Sequence, residues 1–356
     1  MPTPKILEEF YVPIVSVNVM PRIGAKLRIE INGESIWPFP SLSSCALHEF
    51  VVDNLPLSVT NEVAGGVKRD KAATWTKKDG WDINAEGMVG HHPFWTRKAL
   101  ENRQNETLYK AACNLLGSAE VVTSHDRFAL FRPMLAEACT HSPALQRQWT
   151  TIKNVHLDLD PWRFYGISPG PGLEPPPDGI AAPQYDKEGD FMCEHNACGY
   201  NQAVERRTKI QGLFNLHENR EEDGGFHCVP GAHSLLSHWA AATKDSHLAR
   251  SPSATFNIID QMDPTSMSRD AQHIAMRAGS LLLWSFETPH GSTPNRSLRP
   301  RIAQFLKVVD AAAFEDQGTW GRRQRVVQQM IKESACHTTS LGLRMLGAER
   351  WADANS

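Results

Sequence analysis

The stretch NVHLDLDPW, residues 154–162, sets an imidazole and two carboxylates at every second position between Val155, Leu157 and Leu159. Such alternation reads as a strand with one apolar face, and residues two apart on a strand share a side. His156 and Asp158 can therefore aim a ring nitrogen and a carboxylate oxygen at one ion. Taken alone the pattern also suits a solvated strand face, because short H-x-D runs arise by chance. A second histidine, His290, follows the apolar run LLLWSFETP at a Pro-His-Gly turn. There the end of a buried strand would present it to the mouth of a barrel; a loop histidine bonded to its own turn is the plain alternative. Eleven residues on, Arg301 opens RIAQFLKVVD behind Pro300, which lacks an N–H and so favours the first edge of a strand. An arginine turned into an apolar interior needs an anion there, and its fork matches both oxygens of a carboxylate. Arg296 and Arg299 fall in the preceding turn and are expected to be solvated. Two histidines and a carboxylate on one side of a metal, leaving positions open, form the donor set of non-haem Fe(II) oxygenases.

These residues need strands to hold them. LRIEINGESIWP turns at Asn32-Gly33 and predicts a hairpin. FWTRKALENRQNETLYKAACNLLG has helical spacing over 94–117 with a stop at Gly117. AEVVTSHDRFALFRP predicts one strand closed by Pro133, and KIQGLFN through GGFHC a strand, an acidic turn and a strand. SLLLWS and RIAQFLKVVD are further strands, and two helical segments end the chain. The segment 166–190 is too rich in proline and glycine for regular structure and suits an excursion over the site. Helices at the two ends with short strands between them predict an α+β protein built on a β-sandwich or barrel.

The balance of charge narrows the function. With a net charge of −3 over 356 residues, 41% hydrophobic and 22% charged, the chain lacks the basic excess of a nucleic-acid binder. It has no apolar run of the roughly 18 residues that span a bilayer, and Glu8 and Glu9 break any leader pattern. Seven scattered cysteines do not suggest a disulfide framework. The expectation is a cytoplasmic protein with a small-molecule substrate, without nucleic-acid or membrane partners and with no oligomeric state readable.

From about Gly90 to Trp351 the chain resembles the phytanoyl-CoA dioxygenase-like family of Fe(II)/2-oxoglutarate oxygenases. The landmarks are HHPFWTRKALENRQNETLYKAACNLLG, HLDLDP, EEDGGFHCVPGAH, AGSLLLWSFETPHGSTPNRSLRPRIAQ and the tail TTSLGLRMLGAERW. The resemblance implies a double-stranded β-helix, a jelly-roll and cupin-like barrel flanked by helices. It implies iron on His156, Asp158 and His290, and 2-oxoglutarate with its distal carboxylate on Arg301, assisted by Ser292. With O2 the cosubstrate is decarboxylated to succinate while a substrate is oxidised. The retained Asp158 favours hydroxylation, desaturation or oxidative ring closure over halogenation. Relatives with a similar tail act on branched amino acids such as valine, with an aziridine among the products, which implies secondary or amino-acid metabolism. The whole chain is expected to be one oxygenase domain: 1–90 as hairpin and loops, 91–310 as helical flank and jelly-roll core, 311–356 as helical tail.

Substrate contacts are expected among Arg127, Arg132, Gln211 and Asn215, with Leu343 and Met345 in a tail folded over the pocket. Asp160 lies one pleat beyond Asp158 and is a candidate only for a supporting hydrogen bond. Cys193, His195, Cys198 and Cys228 fit no common zinc spacing. His91 and His92 read as capping or pocket-lining residues, and Trp162 and Trp284 as core. Two rivals remain: a non-catalytic jelly-roll binding protein, which predicts a replaced triad residue, and a cupin-type dioxygenase without 2-oxoglutarate, which leaves Arg301 without a role.

Overall fold

Alternation along KIQGLFN sends Gln211, Leu213 and Asn215 to one side and Ile210, Gly212 and Phe214 to the other, and both sides are buried against something. The computed structural model describes residues 14–17, 27–31, 34–39, 74–76, 85–88, 97–167, 209–245, 257–259, 267–311 and 317–351. Its strands are β1 (Ile14–Val17), β2 (Leu27–Ile31), β3 (Glu34–Phe39), β4 (Val121–Thr123), β5 (Phe128–Phe131), β6 (Asn154–Leu157) and β7 (Lys209–Asn215). Then come β8 (Gly225–Cys228), β9 (Asn257–Ile258), β10 (Gln272–His273), β11 (Ser280–Ser285), β12 (His290–Thr293) and β13 (Arg301–Asp310). One sheet runs β1-β11-β7-β13-β4 with β5 also on β13; the other runs β10-β8-β12-β6-β9. All pairings are antiparallel, and from β5 onward the chain crosses repeatedly between the sheets. This is the double-stranded β-helix. No ladder joins the two sheets among the described strands, so they form a sandwich rather than a closed barrel.

Between the sheets lie Leu213, Phe226, Cys228, Leu282, Trp284 and Ala303. On the outer side of the first sheet, Ile210, Phe214, Leu283 and Leu306 pack against Leu108, Ala111 and Ala112. Those three belong to the second of two helices, α1 (Arg97–Arg103) and α2 (Glu106–Leu116). The sequence predicts a single helix over 94–117. It is broken where the Asn105 side chain accepts the Thr107 N–H as an N-cap, and it stops at Gly117 in the left-handed region, as expected. β2 and β3 pair antiparallel, as the expected hairpin requires, with Ile31 opposite Glu34; the turn residues themselves lie outside the described residues.

The expected strand 119–133 is divided. β4 and β5 both pair with β13, but the Arg103 guanidinium enters the gap and donates to the carbonyls of Ser124 (2.9 Å) and Asp126 (2.6 Å). At the tail, helices α3 (Gln317–Glu333) and α4 (Ser340–Leu346) are tied to β4. Arg323 donates to the carbonyls of Leu346 (3.0 Å) and Thr123, and Thr123 Oγ1 donates to that of Met345 (3.1 Å). No helix among the described residues is long and apolar enough to cross a membrane.

Arg299, expected to be solvated, is partly exposed and also holds the turn before β13. Its Nη2 meets Asp223 Oδ2 at 2.9 Å, and Ser297 Oγ donates to Asp223 Oδ1 at 2.6 Å. Burial opposes the Asp223 charge, but Ser297 and Arg299 outweigh it and keep the carboxyl below the usual aspartate range. A carboxyl with a lowered folded pKa adds stability above about pH 4, and loses it as pH falls through the lower folded value. Thermal melts across acid pH are expected to show this increment in wild type and not in Asp223→Asn; identical pH profiles would refute the assignment.

Candidate metal centre

Strands β6 and β12 pair with His156 directly opposite His290, and the two rings stand 4.5 Å apart between centroids. Val155 and Leu157 point to the outer side of this sheet, into a cluster with Trp162, Leu236 and Trp239. The polar side of NVHLD therefore faces the interior of the sandwich, not water. Asp158 follows directly after β6, its Oδ1 3.5 Å from His156 Nε2. One ligand atom from each of His156, Asp158 and His290 lies within 4.8 Å of the others.

Each donor is oriented from behind. His156 Nδ1 is 2.7 Å from Asn154 Oδ1, and His290 Nδ1 is 2.9 Å from the Thr288 carbonyl. Both partners are acceptors, so the proton sits on Nδ1 and the Nε2 lone pair is left for a metal. Burial pushes His290 below the usual histidine range, against the pull of Asp158, and so favours the neutral form that ligates. Asp158 Oδ2 accepts from Gln211 Nε2 and from Lys307 Nζ at 3.2 Å, while Gln211 Oε1 accepts from Trp284 Nε1 at 3.0 Å. The carboxylate thus offers Oδ1 to the histidines and keeps Oδ2 engaged.

Arg301 is fully buried, and among the described residues none of Nε, Nη1 and Nη2 finds a hydrogen-bond partner. Its guanidinium lies 4.9 Å from the Phe131 ring centre and 5.6 Å from that of Phe305. Burial lowers its pKa from 12.5 to about 9. Gly225, at φ +104°, leaves it room: a Cβ there would fall 2.8 Å from Arg301 Nε. A buried guanidinium without acceptors calls for an anion. Ser292 shares the inner side of β12 with His290 and lines a cavity of about 360 Å³ with His156, Asp158 and His290; Phe305, whose ring lies against the Arg301 guanidinium, lines it too, whereas Arg301 itself does not.

Two imidazole nitrogens and one carboxylate oxygen suit Fe(II) with positions left open, and Arg301 suits the far carboxylate of an oxo-diacid, so the residues fit both groups.

The remaining candidates separate. Arg127 and Gln211 line the cavity. Arg132 lies off it, donating to the carbonyls of Trp75 (2.7 Å) and Gln148 and stacking 5.4 Å from the Trp149 ring centre. Asn215 staples a turn, donating to the carbonyls of His217 (2.6 Å) and Arg277 (3.0 Å). Leu343 and Met345 pack in helical clusters outside the first sheet rather than over the cavity. Asp160 is not among the lining residues. Cys228 is a buried free thiol; Cys193, His195, Cys198, His91 and His92 lie outside the described residues. Sequence reasoning missed Lys307, Asn154 and Gly225, and read Trp284 as core only. Lys307 carried a signal, because it shares strand parity with Arg301 inside an apolar run.

The sequence profile of the phytanoyl-CoA dioxygenase (PhyH) family matches residues 188–303, which contain His290 and Arg301. A Dictyostelium discoideum protein that carries the phytanoyl-CoA dioxygenase name is 30% identical over 269 residues, 75% of this chain and 70% of its own. Among solved structures, the epimerase SnoN in complex with Fe3+, alpha ketoglutarate and nogalamycin RO is 12% identical, with a TM-score of 0.43, over 84% of this chain and 79% of its own. EctD from S. alaskensis with 2-oxoglutarate and 5-hydroxyectoine is 13% identical, with a TM-score of 0.38, over 76% and 67%.

Proposed function

The chain belongs to the phytanoyl-CoA dioxygenase family, and from that premise we propose that it oxidises a small organic molecule with Fe(II), 2-oxoglutarate and O2. The observation that carries this reading is the pairing of the His156, Asp158 and His290 donors with a buried Arg301 whose guanidinium has no hydrogen-bond partner among the described residues. Bound there, iron and 2-oxoglutarate supply the oxidant that takes hydrogen from an unactivated C–H bond. One oxygen atom leaves in succinate, alongside CO2. The other enters the substrate as a hydroxyl, or leaves as water with two substrate hydrogens on desaturation or ring closure.

The protein's own residues do the positioning. Asn154 and Thr288 keep the imidazoles in the ligating tautomer, Gln211 and Lys307 keep Asp158 turned, and Arg301 with Ser292 receives the distal carboxylate. Phe226, Trp284 and Phe305 give the cavity an apolar lining. Among products, hydroxylation, desaturation and oxidative cyclisation all fit, and a branched amino acid such as valine, closed to an aziridine, is the specific case we favour. The free thiols of Cys113, Cys139, Cys228 and Cys336 suit a reducing compartment, and we place the enzyme in the cytoplasm.

Anaerobically purified protein, given Fe(II) and 2-oxoglutarate and then air across a panel of amino acids and other metabolites, is expected to release succinate. Release equal to that of His156→Ala with every compound would sink the proposal.

A further inference from the structure

We propose that Lys307 is the anchor for a carboxylate of the substrate, so that the enzyme acts on a small acid seated beside the metal. The inference rests on the metal and cosubstrate reading above and names the substrate class for it.

Lys307 is 6% exposed and sits on the inner side of β13, lining the cavity. Among the described residues its ionic partner is Asp158, at 3.2 Å. An ammonium has three N–H donors, and Asp158 takes one. Other charged groups face the cavity. Arg127 Nε is 3.7 Å from Asp126 Oδ1, so those two answer each other. Glu86 lines the rim half-exposed and makes no ion pair with Lys307. Arg301 is on the same side of β13, but six residues away, about 20 Å along a strand. Ser292 lies on the Arg301 side of the metal residues, toward Gly225. The distal carboxylate of 2-oxoglutarate belongs to that end, and Lys307 to the opposite one.

Charge then decides what the Lys307 end receives. A dication with Asp158 and the near carboxylate of the cosubstrate is neutral, and Arg301 with the far carboxylate is neutral. Once the metal draws on Asp158, the ammonium of Lys307, a residue only 6% exposed, is left as an uncompensated cation with donors to spare. Such a charge is unfavourable unless an anion joins it. Trp284, aligned with Lys307 across Gln211, and Phe305, two residues before it on the same side of β13, suit an aliphatic chain carrying that anion. Metal and substrate acid are thereby linked: in the metal-free protein the Asp158 charge already balances Lys307, so an acid gains less there.

The test uses Zn(II) as a redox-inert stand-in and butanoate as the probe, by calorimetric titration of the full chain saturated with 2-oxoglutarate. The Zn(II)-loaded wild type is expected to bind butanoate saturably, and butanamide at least tenfold more weakly. Lys307→Met should weaken butanoate at least tenfold, Lys307→Arg should retain it within a few fold, and metal-free wild type should also bind it at least tenfold more weakly. The proposal is overturned if butanoate does not bind the loaded wild type, if the amide binds as well as the acid, or if Lys307→Met binds butanoate as wild type does. The acid–amide comparison needs no variant, so it stands even if Lys307→Met folds poorly. Failure of the wild type to take up Zn(II) or 2-oxoglutarate would instead defeat the underlying metal and cosubstrate reading, at the loading step.

Discussion

Arg301→Met is expected to raise the melting temperature of the ligand-free protein by a few degrees while lowering its affinity for 2-oxoglutarate more than about a hundredfold. The two effects share one cause. In the ligand-free chain the guanidinium is fully buried with three nitrogens unpartnered, and its pKa falls from 12.5 to about 9. That fall corresponds to roughly 5 kcal/mol of desolvation, of which the stacking on Phe131 and Phe305 returns about 1–2 kcal/mol. Methionine fills a similar volume with no charge to desolvate. Removing one partner of a buried charged pair costs roughly 2–5 kcal/mol of binding, which sets the size of the cosubstrate effect. Ligand-free melts and a 2-oxoglutarate titration check both halves. A variant that melts lower and binds the cosubstrate as before would contradict the role given to Arg301.

Asp158→Ala is expected to act oppositely on stability. It removes the metal's carboxylate and strands Lys307, whose remaining surroundings are largely apolar. Breaking a buried pair from one side costs roughly 3–5 kcal/mol, here a fall of about 5–10 °C in Tm. Metal affinity should drop more than about a hundredfold, beyond the 10–100-fold typical of losing a supporting group. Adding Lys307→Met to Asp158→Ala should recover most of the lost stability and none of the metal affinity, because the stranded charge goes but the ligand does not return. Thermal melts and metal titrations of both single variants and the double variant complete the cycle. If the double variant is as unstable as Asp158→Ala alone, Lys307 is not the group that Asp158 compensates.

Local signals carried much of the fold. β2 and β3 pair as the hairpin signal expects, Gly117 ends its helix, and SLLLWS and RIAQFLKVVD are strands, because turn chemistry and apolar runs act over a few residues. The failures are all tertiary. A 24-residue helical pattern gave no sign that Asn105 would cap a second helix, and the division of β4 from β5 depends on Arg103, from another element, occupying the gap. The direction of NVHLD was undecidable locally: alternation identified two sides, and only the Trp162 and Trp239 cluster determines that the apolar side is the outer one. At the site, His156, Asp158, His290 and Arg301 could be ordered by spacing. Lys307 gains meaning only from a 3.2 Å approach to a residue 149 positions earlier. The bond from Arg299 to Asp223 was likewise out of reach, because the two lie 76 positions apart.

Strand β13 carries Arg301 at its start and Lys307 six residues on, both on its inner side. It therefore works as a ruler whose graduations are fixed by hydrogen-bond registry with β7, where Lys307 stands opposite Gln211. A one-residue insertion between the two cations would turn one of them outward and leave no intermediate spacing, since a strand can be lengthened only in units that preserve its parity. Divergence in what the enzyme oxidises is then channelled away from β13 and from the Ser124–Arg127 segment bonded to it, where Ser124 meets Lys307 through its N–H and its hydroxyl and the Arg127 carbonyl accepts the Phe305 N–H.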